Sequence, residues 1–234
     1  MGVPLDAIKV NHSSVTKLRP QPLDSLLGPL LVGGQMSVVH GPERAPMTAL
    51  AHVVLVGAVR NGRKALYLDS GKNFSPQLVR TLSRDLGESA LLDVSIGNVM
   101  SLSDLNKAAM SAVGFSIVVL DSLTGVLNLS GAPGAKGRQR ELFSTLDMLR
   151  MMVNQHGSHL LMTDHSTREW SSGAEKPIGG NVLAHAVDSV VRVDRQKGVR
   201  DAVRILVERS ASAPSPDAVV IRLGTKGARS LMGR

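Results

Sequence analysis

The chain predicts an α/β domain with a mainly parallel central sheet, helices on both faces and antiparallel strands near its C-terminal end. Three observations carry this. Short apolar runs alternate with amphipathic stretches from about residue 35 onward. The runs are near-continuously apolar, which is the pattern of parallel strands covered on both faces. After residue 186 the helical stretches stop and strand-like runs follow one another directly.

In chain order the strand-like runs are QMSVVH (35–40), ALYLD (65–69), LLDVSI (91–96), SIVVLD (116–121) and HLLMTD (159–164). The amphipathic stretches between them cover 47–60, 75–86, 101–113 and 139–155. SVVRVDR, AVRILVE and AVVIRL follow, separated by Lys-Gly and Pro-Ser-Pro turns, and read as antiparallel additions to one sheet edge. Residues 1–20 read as an N-terminal strap or linker, with Pro20, Pro22 and Pro29 near its end, and 21–234 as one core. Two long loops interrupt the rhythm: the basic, Gly-rich NLSGAPGAKGRQR (128–140) and DHSTREWSSGAEKPIGG (164–180), which holds the single tryptophan. Both follow strand C-termini, where open α/β sheets place ligands.

Composition narrows the function classes. With 234 residues and 43% hydrophobic content the chain can bury a full core. Its apolar runs fall far short of the ~18–20 residues needed to span a bilayer. The first twenty residues contain no apolar stretch of secretory type. Cysteine is absent, which excludes disulfides and thiolate metal sites and fits a cytoplasmic location. The seven histidines form no H-E-x-x-H or H-x-x-x-H pair, so no metal site is expected. Lys and Arg number 27 against 19 Asp and Glu, a net charge of +8 that favours a polyanionic partner. Five aromatics are too few for a base-stacking platform.

The segment GPERAPMT (41–48) begins and ends like a phosphate-binding loop, G-x-x-x-x-G-K-[ST], between a strand and a helix. Such a loop needs glycines to curl its N–H groups around phosphate, a lysine for charge and a hydroxyl for magnesium. Gly41 and Thr48 are in place, but Pro46 and Met47 stand where glycine and lysine belong. SIVVLDS (116–122) ends in Asp121 and Ser122, either a magnesium-organising strand end or a buried strand meeting a polar turn.

Taken together these segments resemble the RecA-like ATPase core of the archaeal RadA/RadB recombinases. The most specific is KPIGGNVLAHAVDSVVRV (176–193), with LDSLLG (23–28), GPE (41–43), LYLDSGKNFSPQLV (66–79) and VVLDSLTG (118–125) in the family's order. The resemblance spans roughly 18–227 and implies a RecA-like P-loop fold; the family's N-terminal helix-hairpin-helix domain has no counterpart in this sequence, whose size is that of short paralogues. It also implies a degenerate nucleotide site at Gly41, Glu43, Arg44, Met47, Thr48 and Asp121. The family's lysine, catalytic glutamate and sensor glutamine correspond to Met47, Gly71 and His165. No catalytic residue is therefore expected, and any magnesium-ATP binding should be weak. Arg44 and Lys72 are the two cations near enough in sequence to compensate.

The two long loops correspond to the family's DNA-facing loops. On that basis Lys136, Arg138, Arg140, Arg168 and Lys176 either pair with phosphates or form a solvated basic rim, and Trp170 stacks on a base or packs on a partner. The implied function is an inactive paralogue assisting homologous recombination and DNA repair by binding a RadA-type recombinase or another RecA-like paralogue, with single-stranded DNA as a second partner. VPLDAIKV (3–10) is a candidate linker for such docking. The alternative is a weak or partner-completed DNA-dependent ATPase of the RadB type. A regulatory module of KaiC-like kind is disfavoured by the PIGG–LAH segment.

Overall fold

The computed structural model describes residues 14–129, 134–168, 173 and 175–231. Helix α1 (Gln21–Leu27) precedes β1 (Met36–Gly41), α2 (Arg44–Arg60), β2 (Ala65–Asp69), α3 (Pro76–Leu82), β3 (Val94–Asn98), α4 (Leu102–Met110) and β4 (Ile117–Asp121). Then come α5 (Leu123–Leu129), α6 (Gly134–His156), β5 (His159–Arg168), β6 (Glu175–Pro177), α7 (Gly180–Ala186), β7 (Ser189–Arg195), β8 (Ala202–Ser210), β9 (Asp217–Gly224) and β10 (Gly227–Ser230). The main sheet runs β10-β9-β8-β7-β1-β5-β4-β2-β3, and β6 pairs with β5 off this path. From β7 to β3 every neighbour is parallel; β8, β9 and β10 are antiparallel.

Two expectations are corrected. β7, read as an antiparallel addition, pairs parallel with β1 and only then turns antiparallel into β8. The crossover through α7 returns the chain to the starting end of the sheet. There the Met36 N–H donates to Asp188 Oδ2 at 2.7 Å and the Asp188 N–H donates to the Met36 carbonyl at 2.8 Å. Second, most of the loop read at 128–140 is helical, because α6 begins at Gly134. Its two glycines each cost about 1 kcal/mol relative to alanine. Extending an established helix by a turn needs no new nucleus, so the amphipathic stretch behind them carries the helix backward. Likewise β5 extends into the second loop, and β6 turns part of it into an antiparallel arm. β10 is a strand that the apolar pattern did not indicate.

Two cores flank the sheet. One lies beneath α1, α2 and α3 and includes Leu23, Leu50, Leu55 and Tyr67; the other lies beneath α4, α5, α6 and α7 and includes Leu105, Leu120, Leu149 and Leu183. Helix α2 is apolar almost all round because α3, the strap and the antiparallel strands cover what the sheet leaves open. The strap crosses it at Gly57: the Lys17 N–H donates to the Gly57 carbonyl at 2.9 Å, and a Cβ on Gly57 would stand 2.6 Å from Leu18 Cδ2. His159, fully buried at the start of β5, donates from Nδ1 to the Val32 carbonyl at 2.9 Å, and burial lowers its pKa to about 4. Among the described residues no helix is long and apolar enough to cross a membrane.

Candidate functional site

The C-terminal ends of β1, β2, β4 and β5 converge where the resemblance places a nucleotide. Period-two alternation turns Tyr67, Asp121 and Thr163 to the same face of the sheet, toward α2. Asp121 is 1% exposed and accepts three hydroxyl hydrogen bonds. Thr48 Oγ1 and the Tyr67 hydroxyl donate to its Oδ2 at 2.7 and 2.5 Å, and Thr163 Oγ1 donates to its Oδ1 at 2.6 Å. Bonds to an ionised acceptor are short and strong, so this carboxylate ties α2, β2, β4 and β5 together. Burial, then the charge and hydrogen bond of Asp121, hold the Tyr67 hydroxyl far above its ordinary pKa, so it stays a donor. The hydroxyl and carboxylate that would hold magnesium are bonded to each other.

The preceding segment is short. Only Pro42 and Glu43 separate the end of β1 from the start of α2, and Pro46 falls in the first helical turn, where its missing N–H leaves no intrahelical bond unmade. Gly41 is kept small by β7: a Cβ there would meet the Val193 carbonyl oxygen at 2.3 Å. Met47 is buried in the core, its sulfur 3.6 Å from that same position. Glu43 pairs with Arg195 at 2.5 Å, fastening the turn to β7. A loop that curls around a phosphate needs more residues than this link contains.

Asp69 closes the next turn. Its Oδ1 accepts from the N–H groups of Gly71 and Asn73 at 3.0 and 2.9 Å, and its Oδ2 from that of Phe74 at 2.9 Å. Gly71 offers no side chain, and Lys72 occupies the left-handed region at φ 57. Arg44 is exposed and donates to Asn73 Oδ1 at 3.4 Å. Beneath this turn His52 lies fully buried between Tyr67 and Phe74, with centroids 5.0 and 5.3 Å away. Its Nδ1 donates to the Thr48 carbonyl at 2.7 Å and its Nε2 accepts from the Ser75 N–H at 2.9 Å, which fixes the tautomer. Burial lowers its pKa, outweighing the Thr48 carbonyl bond and the nearby carboxylates.

On the opposite face of the same strand ends, His40 is fully buried between Ser166 Oγ and Glu208 Oε2, both at 2.9 Å. Beside it Asp164 accepts from the Gly179 N–H at 3.1 Å and leaves Oδ1 without a partner among the described residues. Burial pushes its carboxyl up to about 6. Asp164 and His165 are the pair that the resemblance sets at the family's sensor position; in the fold the first anchors the turn before α7, and the second accepts from the Ile178 N–H at 2.8 Å through its backbone carbonyl.

The candidate DNA residues divide. Arg140 is exposed on α6; Lys136 and Arg138 share that helix, but their side chains lie outside the described residues, as does Trp170. Arg168 and Lys176 sit on the β5–β6 arm in adjacent registers, Arg168 opposite Glu175 and Thr167 opposite Lys176, so they point to opposite faces. The arrangement thus bonds Thr48 to Asp121, fastens Glu43 separately to Arg195, and leaves Arg140 and Arg168 outside that cluster. Sequence reasoning missed Tyr67, Thr163, His52 and Arg195. Tyr67 carried a legible signal, a hydroxyl two residues before the polar end of its strand at Asp69; Thr163, directly before Asp164, carried none.

The fold is that of a RecA-like α/β core. A solved structure described as the RadB recombinase has it too, with a TM-score of 0.75 at 22% identity over 91% of this chain and 97% of that one. The family model for Rad51 matches residues 14–229, and the chain belongs to that family. It is similar to the DNA repair protein RAD51 of Mycosarcoma maydis, 26% identical over 88% of this chain and 66% of that protein. It is also similar to the DNA repair and recombination protein RadB of Thermoplasma acidophilum, 24% identical over 80% of this chain and 83% of that protein. Against the Saccharomyces cerevisiae RAD51 it spans 49% of the relative's length, at 27% identity.

Proposed function

We propose that this chain is a non-hydrolysing recombinase paralogue that assists homologous recombination and DNA repair by docking on a RecA-like core. One observation carries the non-hydrolysing part: Asp121 spends both carboxylate oxygens on Thr48, Tyr67 and Thr163, beside a two-residue link. Phosphoryl transfer depends on positioned charge and an activated water. With Met47 in the core and Gly71 at the turn, neither of the two positions that the resemblance assigns to those roles supplies a charge.

The docking part is supported by β3, which among the described residues pairs only with β2 and leaves its outer edge open. An open edge of this kind accepts an added strand. Of the ten large apolar side chains exposed among the described residues, five fall in this region: Leu92, Ile96, Met100, Met110 and Val113. The linker candidate 3–10 lies outside the described residues. Contact with single-stranded DNA through the two loops is part of the same proposal, supported by the exposure of Arg140 and Arg168.

Calorimetric titration with magnesium-ATP, together with a phosphate-release assay, tests the first part. No heat of binding at micromolar protein and turnover at background are expected. Saturable micromolar binding, or turnover abolished by Asp121→Ala, would favour the partner-completed ATPase instead.

A further inference from the structure

At the edge opposite β3, the β9–β10 hairpin carries cations for which the fold has no use. Two cavities of about 250 and 190 Å³ flank it and share Lys226, Gly227 and Arg229 in their walls. Between them the two are lined by seven basic side chains and two carboxylates. One carboxylate, Asp85, is already shared by Arg60 at 3.0 Å and Arg19 at 2.9 Å. The other, Asp201, reaches Arg200 only at 3.9 Å. The side chains of Arg84, Arg222, Lys226 and Arg229 are exposed and form no hydrogen bond or ion pair among the described residues.

The register sharpens this. Arg222 of β9 stands directly opposite Arg229 of β10, on the same face of an antiparallel pair. Like charges in that position repel and weaken the pairing. Exposed charge also guards a sheet edge against unwanted strand addition, but a single lysine or arginine on so short a strand serves that end. Opposed arginines, with Lys226 and Arg84 beside cavities on either side, exceed it.

From this concentration of uncompensated cations we infer that the β9–β10 hairpin is a binding surface for the phosphate backbone of DNA. Guanidinium groups match phosphate oxygens in geometry, and a bound polyanion would relieve the Arg222–Arg229 repulsion. Backbone contacts of this kind carry no sequence information and make binding strongly salt-dependent. The surface is distinct from the two loops of the proposed function: five strand spacings, roughly 24 Å, separate β10 from β5. It does not depend on that reading, since it stands on charge and register alone.

The test is fluorescence anisotropy of the full chain against a labelled oligonucleotide of about 30 nucleotides, single-stranded and duplex, over a salt series. The variant combines Arg84→Ala, Arg222→Ser, Lys226→Ala and Arg229→Ser. Affinity should fall at least about tenfold at low salt. The slope of log K against log salt should shrink by about 0.9 per lost contact for duplex and about 0.7 for single strand. Arg140→Ala with Arg168→Ala reports the loops separately, so failure there leaves the hairpin result intact. An unchanged slope and affinity in the hairpin variant overturns the inference. So does displacement by polyglutamate at matched charge as readily as by DNA, which would mark an acidic-protein surface. Should the variant fold poorly, acetylation of the wild-type chain decides. DNA should slow labelling of Lys226 and leave Lys107, at the other edge, unchanged; equal labelling rates with and without DNA at Lys226 overturn it.

Discussion

Among the described residues the two edges of the sheet both leave backbone groups unpaired and carry opposite side-chain chemistry. β3 and the residues next to it carry exposed Leu92, Ile96 and Met100, with exposed Met110 and Val113 at the end of the helix that follows, whereas β10 and its hairpin carry exposed Arg222, Lys226 and Arg229. Edge strands are ready templates for strand addition, and charge is the usual guard against it. An edge left apolar invites a protein strand; an edge loaded with cations repels another basic chain and attracts a polyanion. The difference teaches that open backbone sets where something can bind, and the flanking side chains set what.

Three measurements break or sharpen that contrast, beginning with the one that should affect the whole sheet. Asp121→Ala removes the carboxylate between the two edges and leaves the hydroxyls of Thr48, Tyr67 and Thr163 without their shared acceptor. Buried donors left unmatched cost about 1–3 kcal/mol each, so denaturant unfolding should show a loss of about 3–5 kcal/mol. A loss below about 1 kcal/mol would mean that water or another acceptor reaches the cluster.

The second acts on one edge alone. Ile96→Glu with Met110→Lys should reduce affinity for a recombinase core at least about tenfold, or about 1.4 kcal/mol, measured by biolayer interferometry. Both side chains are exposed, so unfolding free energy should change by no more than about 0.5 kcal/mol, and DNA affinity should not change. Retained partner affinity would move docking away from β3.

The third is a pH dependence from β5, in the interior of the sheet. Asp164 has its folded pKa raised to about 6 by burial, above the ordinary 3.8. Its favourable contribution is present in full below pH 3.8 and is lost as pH rises through about 6, where the native state must ionise a buried carboxylate. The stability of Asp164→Asn relative to the wild type should therefore grow as pH rises from about 4 to about 6 and hold its full value above. Because His159 contributes the opposite slope between 6.5 and about 4 in both proteins, the difference between them isolates Asp164. Parallel stability curves would count against the buried, ionising Asp164.

The residues before β3 show how local pattern and final structure part ways. LLDVSI reads as a strand from residue 91, yet 88–93 form a 3₁₀ turn and pairing begins only at Val94. Apolar character alone cannot distinguish a strand's first residues from a turn that shields its approach. Gly134 and Gly137 misled in the other direction, since composition marked a loop where helix propagation from 139–155 prevailed.

What the sequence by itself determined is the local and periodic part: the β-α alternation, the faces of the strands, the uncharged residues Met47 and Gly71, and family membership through ordered motifs. What the tertiary structure decided is the pairing of distant groups. Asp121 bonds Thr48, Tyr67 and Thr163, which lie 73, 54 and 42 residues away and meet it only through strand order and the packing of α2. Glu43 with Arg195, and Arg222 opposite Arg229, are likewise matters of register. A side chain's chemistry is written in its own position, but its partners are chosen by the packing of segments that have no local means of specifying one another.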